Sequence, residues 1–284
     1  MSDVKLVPTN ALAGVTVAVS VSDSADLTRL GLHAKHAEYA VAEIARAVLT
    51  AGGNLAYGGR IRPSGFTQFL MHELRRYGVH GHRLTICLAH PEHRKLSLSE
   101  LKRLDETLEP SCRLRFVDLD GHAVDYRSGR EETPDPSPDP DAAARAYSAM
   151  RRYMTTISHA RIVVGGQLAG FKGAMPGIIE EANATLDASQ PLYVAGGFGG
   201  AAALVAQTLH LGDASWLPNG VPEHDSDDPR IVDSLTKLRA AAADNGSGLQ
   251  AGLDGDETNR LTWSHRPGDI AAMLALGLAR TVGA

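Results

Sequence analysis

Two residue types set the chemistry that this chain is equipped to do: a carboxylate at a helix start and an arginine on the helix before it. Residues 161–182 read RIVVGGQLAGFKGAMPGIIEEA. Pro176-Gly177 open a helical pattern in which Ile178, Ile179 and Ala182 share a face and Glu180 and Glu181 fall in the first turn. In the pattern at 144–159, Tyr147, Met150, Met154 and Ile157 form an apolar stripe; at about 100° per residue Arg151 borders it and Arg152 points away. A carboxylate activates water or stabilises oxocarbenium charge, and a cation holds phosphate. Glu181 with Arg151 therefore supplies the parts for cleaving a nucleotide N-glycosidic bond. Acidic residues at helix starts also suit the helix dipole with no catalysis involved, and a border arginine also snorkels to solvent.

The elements that must position this pair follow a repeated pattern. The β-branched run at 162–164 predicts a buried strand that ends at Gly165-Gly166. Strand, glycine turn and the helix start at Gly177 leave backbone N–H groups for an anion. The same sequence also serves as an ordinary βα connection whose glycines only solve packing. Residues 14–21 predict a first strand delivering Ser20, Ser22 and Asp23 to its end, followed by a helix at 33–50. A strand at 54–57 leads into Gly58-Gly59-Arg60, then a helix at 67–77 beginning at Thr67. A strand at 83–89, a helix at 99–108 with Ser99 as N-cap, and a strand at 112–119 continue the alternation. After the helix at 177–188, a strand at 191–195 ends in Gly196-Gly197-Phe198-Gly199-Gly200 and a helix at 201–209 follows.

The fold class implied is α/β, a Rossmann-like open and mainly parallel sheet with helices on both faces, with ligands at the carboxyl edge. We read residues 1–284 as one domain. It carries a Pro/Asp-rich loop at about 128–144 and an irregular Gly/Asp-rich extension at about 212–265 around one helix at 229–243. The apolar helix from Pro267 closes the sheet or forms a dimer seam.

Composition narrows the function classes. The chain of 284 residues is 43% hydrophobic and 21% charged, with a net charge of −5, so nothing marks a general nucleic-acid partner. No apolar run reaches a membrane span and the N-terminus lacks a signal-peptide core, which implies a soluble, cytoplasmic protein. Cys87 and Cys112 lie apart in apolar runs, as small buried hydrophobes do. No glycine loop has Walker A form or GxGxxG followed by a suitably placed acid, and no GxSxG elbow is present. The pairs His33/His36, His80/His82 and His90/His93 lack partner ligands for a metal and read as surface or loop residues. No cofactor and no metal are expected.

The order of these motifs resembles the SLOG superfamily, the Rossmann-like group that includes the lonely guy cytokinin-activating phosphoribohydrolases and ligand-sensing domains of bacterial conflict and signalling systems. The resemblance covers about residues 14–209. LAYGGR at 55–60 is similar to the family's second-strand glycine loop, AMRRYM at 149–154 to its arginine-bearing helix, and PGIIEE at 176–181 to its glycine-loop helix start. On this resemblance Glu181 occupies the catalytic place. The hydrolases' PGGxGTxxE is expanded here by residues 167–175, and Ile178 stands where they have threonine. The expanded loop, together with residues 191–200 and the carboxy-terminal extension, resembles the sensor branches, which implies recognition of a nucleotide-derived ligand related to NAD or ADP-ribose. The ligand set implied is Ser20, Ser22, Asp23, Gly58, Gly59, Arg60, Thr67, Arg151, Gly165, Gly166, Gly177 and Glu181. A homodimer or higher homo-oligomer is also implied, with a TIR-type effector on a separate chain or in a longer one. The alternative is a phosphoribohydrolase-like N-glycosidase that uses Glu181 and Arg151.

Overall fold

A computed structural model describes residues 7–59, 66–76, 81–108, 112–135, 139–217 and 227–282. In chain order its elements are β1 (Thr16–Ser22), α1 (Ala34–Thr50), β2 (Asn54–Gly58), α2 (Phe66–Arg76), β3 (Leu84–Ala89), α3 (His90–His93), α4 (Leu98–Leu108), β4 (Cys112–Val117) and β5 (Ala123–Val124). They continue with α5 (Pro140–Thr156), β6 (Ala160–Gly165), α6 (Gly177–Asp187), β7 (Leu192–Ala195), α7 (Gly200–Thr208), α8 (Pro229–Asn245), α9 (Gly255–Trp263) and α10 (Pro267–Thr281).

One seven-stranded sheet runs in the order β5-β4-β3-β2-β1-β6-β7, parallel except for the antiparallel edge strand β5. The α/β, Rossmann-like reading of the sequence is correct. Strands buried on both faces are largely apolar, and β6 is buried at all of its positions, Arg161 included. Val17, Val19 and Val21 of β1 face a layer containing α1, α2 and α10. On the opposite face, Ala18 and Ala56 are small and let Met150 and Met154 of α5 pack close to the sheet.

β1 pairs with β2 on one side and β6 on the other. The chain leaves them in opposite directions, so a crevice opens beyond Ser22 and Gly165, which are register partners.

Three local details depart from the sequence reading. The cap of α4 is Ser97, whose hydroxyl accepts from Glu100 N–H while Glu100 accepts from Ser97 N–H; Ser99 is not the cap. α5 starts at Pro140 because Asp139 accepts from Asp141 N–H and proline suits the first helical position. The extension after 212 is less irregular than expected, since it contains α9 as well as α8. Asp254 and Glu257 form the capping box of α9, a signal present in the sequence. Of the two readings of the helix from Pro267, closing the sheet holds for Ile270, Leu274 and Leu278 of α10, which are fully buried within the chain, while Met273 is partly buried. Among the described residues no helix is long and apolar enough to cross a membrane.

Candidate nucleotide site at the carboxyl edge

A cavity of about 740 Å³ occupies the crevice, within the range of small-molecule sites. Its floor comes from the strand ends: Ser22 and Asp23 after β1, Tyr57, Gly58 and Gly59 at β2, and Ala89 at β3. Phe66, Phe69 and His72 of α2 and Glu38 of α1 form one wall. Tyr147, Met150 and Arg151 of α5 form another, with Gly177, Ile178 and Glu181 at the start of α6. Aromatic rings, carboxylates and a cation thus share one space.

The expanded segment 167–175 supplies the remaining side through Gln167, Phe171 and Lys172. Lys172 Nζ lies 3.7 Å from Glu92 Oε1. The same oxygen accepts a hydrogen bond from Tyr147 Oη and lies 3.4 Å from Lys95 Nζ. The Phe171 ring lies 4.3 Å beneath the Arg230 guanidinium of α8. An insertion that hydrolase-like motifs lack is therefore built into the cavity wall.

Arg151 does not pair with Glu181. Its guanidinium forms a mostly buried ion pair with Glu180 and lies 5.9 Å from the Tyr147 ring centroid. It also lies against the start of α6: a Cβ on Gly177 would come 2.6 Å from Arg151 Nη2, so a larger residue there would have to push the guanidinium aside. The N–H groups of Gly177 and Ile178 find no acceptor among the described residues, and both residues face the cavity. With the Arg151 guanidinium they make a corner of N–H donors suited to an oxyanion.

Glu181 turns the other way. It is 6% exposed, and its Oε1 lies 3.8 Å from Nη1 of Arg161, a fully buried arginine on β6. Arg161 donates to Thr185 Oγ1 at 2.7 Å, Ser20 Oγ at 2.7 Å and Thr155 Oγ1 at 3.1 Å. Both threonines bond their own hydroxyl hydrogen back along the helix, to Glu181 O and Arg151 O, which leaves their lone pairs for the guanidinium. Burial pulls Arg161 below the usual arginine range, opposed by the Glu181 carboxylate.

Several expected ligand residues lie elsewhere. Ser20 is 3% exposed and bonded to Arg161, away from the cavity. Thr67 is buried and does not line the cavity. Gly165 and Gly166 serve packing. Gly166 donates its N–H to Ser22 O and accepts from Ala201 N–H, and a Cβ there would sit 2.6 Å from Ile178 Cγ1. Arg60 lies outside the described residues. The second glycine-rich turn is also occupied: Asp26 Oδ2 accepts from Gly200 N–H at 2.5 Å and caps α7, so that helix start has its anion already.

Other candidate chemistries find little support. Cys87 and Cys112 are free and buried, and burial pushes both thiols up to about 12. His93 is not a surface residue; it packs on Phe116, its Nε2 reaches Val117 O at 3.2 Å, and burial lowers its pKa to about 4. Asp118, Asp120 and His122 bring three potential metal ligands within 4.8 Å. Asp118 Oδ1 there accepts from the Asp120 and His122 N–H groups, which accounts for that cluster as a turn.

The family model of SLOG cluster2 matches residues 11–261. The chain belongs to the SLOG cluster2 family. No curated protein matches the chain. The matched span contains every residue that lines the cavity of this SLOG protein, the insertion at 167–175 included. Sequence reasoning missed Arg161, Glu92, Phe171 and Lys172 as parts of the site. Glu92 and Lys172 carry no local signal, because their pairing is long-range. Arg161 did carry one: a charge bordering a buried β-branched run and continuing it in register.

Proposed function

We propose that this SLOG protein is a sensor that binds a nucleotide-derived, phosphorylated small molecule, related to ADP-ribose or NAD or another phosphorylated nucleoside, in bacterial signalling or defence. The observation that carries the reading is the separation of the two groups that an N-glycosidase would use together. Arg151 is engaged by Glu180, and Glu181 by Arg161. Each is held in place for recognition, and neither has the other as partner.

The cavity chemistry fits such a ligand in three parts. Phosphate suits the N–H groups of Gly177 and Ile178 beside Arg151; ribose hydroxyls suit Glu181 and Asp23; a base suits the rings of Tyr57, Phe69 and Phe171. Isothermal titration with ADP-ribose, NAD and AMP tests this directly. A ligand at 100 times its dissociation constant should also stabilise the fold by about 2.7 kcal/mol. Absence of both binding and stabilisation across these nucleotides overturns the reading.

A second reading, nucleotide N-glycosidase, is favoured by one observation: Glu181 stands on the cavity wall and is nearly excluded from water. Free base released from nucleoside monophosphates or NAD, and lost in a folded Glu181→Gln variant, would establish it. Binding without release supports the sensor. In the sensor reading the protein acts as a homo-oligomer through a surface other than the buried stripe of α10, and signals to a TIR-type effector.

A further inference from the structure

We infer that Arg161 is a positioning residue. From inside the core its guanidinium sits beside one oxygen of the Glu181 carboxylate and leaves the second oxygen for the cavity, so the ligand must present hydroxyl donors at that point. This rests on the nucleotide-binding reading above and adds the buried residue that sets where the ribose hydroxyls go.

Burying a cation is costly. A guanidinium wholly removed from water must be neutralised and must place its N–H groups on acceptors. Three hydroxyls take N–H groups of Arg161, but hydroxyls carry no charge. Among the described residues the carboxylate within ion-pair distance is Glu181. The other ionisable groups acting on Arg161 are Arg151 from α5 and Cys87 from β3. Arg151 is already paired with Glu180, and the Cys87 thiol stays protonated because burial pushes it up to about 12. Glu181 is thus the counter-charge on which the fold depends.

A carboxylate held as an anion accepts hydrogen bonds and donates none. Phosphate placed against it is repelled, whereas a ribose cis-diol offers two donors. The phosphate then goes to the corner made by Gly177, Ile178 and Arg151. Thr155 ties the two places together, because its hydroxyl bonds both Arg161 and the Arg151 carbonyl. The orientation of the ligand follows: sugar toward the sheet, phosphate toward the start of α6.

The test compares affinities for AMP and 2′,3′-dideoxy-AMP by titration calorimetry. Wild type should prefer AMP by about tenfold, the worth of hydrogen bonds to a charged acceptor. In Arg161→Met the preference should fall to within roughly twofold, and in Arg161→Lys it should be intermediate. A folded Arg161→Met that keeps the full preference overturns the proposal. Should Arg161→Met not fold, Thr185→Val keeps the charge and removes one acceptor. A preference lowered about threefold there supports the role, and an unchanged one overturns it. Wild type that binds both nucleotides equally overturns the proposal and leaves nucleotide binding intact. Wild type that binds neither defeats the function reading itself, and thermal denaturation then decides the ion pair. Arg161→Met and Glu181→Gln should each lower Tm by roughly 10 °C, with the double variant no worse than either. Additive losses overturn the pairing.

Discussion

Glu180 and Glu181 are neighbours in sequence, yet each completes a different structure. Glu180 meets Arg151 at the rim of the cavity, where both side chains keep some contact with water. Glu181 meets Arg161 in the interior, where the arginine has none. Successive residues on a helix point about 100° apart, so one peptide step sends one carboxylate toward α5 and the other toward β6. The difference separates two uses of the same ion pair. At the rim, a pair can exchange one partner for a ligand at modest cost. In the core it is part of the fold, and the ligand can only borrow the oxygen left over.

This contrast can be broken in order of expected effect. Glu181→Gln leaves a buried guanidinium without its counter-charge and should destabilise the protein by about 3–5 kcal/mol in urea denaturation. A loss below about 2 kcal/mol would place the interior pair in the same class as the rim pair. Gly177→Ala pushes a methyl group into the Arg151 guanidinium and should cost about 1–3 kcal/mol while weakening AMP binding. Unchanged stability and affinity would mean that Arg151 moves aside freely. Glu180→Gln leaves the mostly buried Arg151 guanidinium without its counter-charge and should cost about 1–2 kcal/mol, but it releases Arg151 toward the ligand, so AMP affinity should rise by about fivefold. A fall in affinity would mean that Glu180 is needed to aim the arginine. Lys172→Ala removes a largely exposed partner of Glu92 and should cost under about 1 kcal/mol, an effect that shrinks in high salt. Its trace should be faster nucleotide release, read by stopped flow.

Much of the architecture was legible from local pattern. The strand beginning at Asn54 and the helix ending at Thr50 stand where the β-branched and amphipathic runs put them, because those periods report which faces must be buried. The placing of Arg151 at the border of the apolar stripe was legible for the same reason. Ser20 shows the limit. Alternation alone puts Ser20 and Ser22 on the same side of β1, but the side chain that claims Ser20 comes from a strand far along the chain. Gly165-Gly166 and Gly199-Gly200 show it again. Either pair fits a phosphate loop in sequence, and the tertiary contacts of Ser22, Ala201 and Asp26 are what fill their hydrogen-bonding groups.

Local pattern already contained an α/β sheet and a carboxylate and an arginine brought to its carboxyl edge, because backbone periodicity and glycine breaks act over a few residues; the order of the strands came from the structure. Only the tertiary structure decided which arginine belongs to which glutamate, which glycine turn remains open, and that the inserted segment walls the cavity. Those outcomes depend on charges and close contacts between residues distant in sequence, where burial sets the strength of the interaction and no local pattern records it.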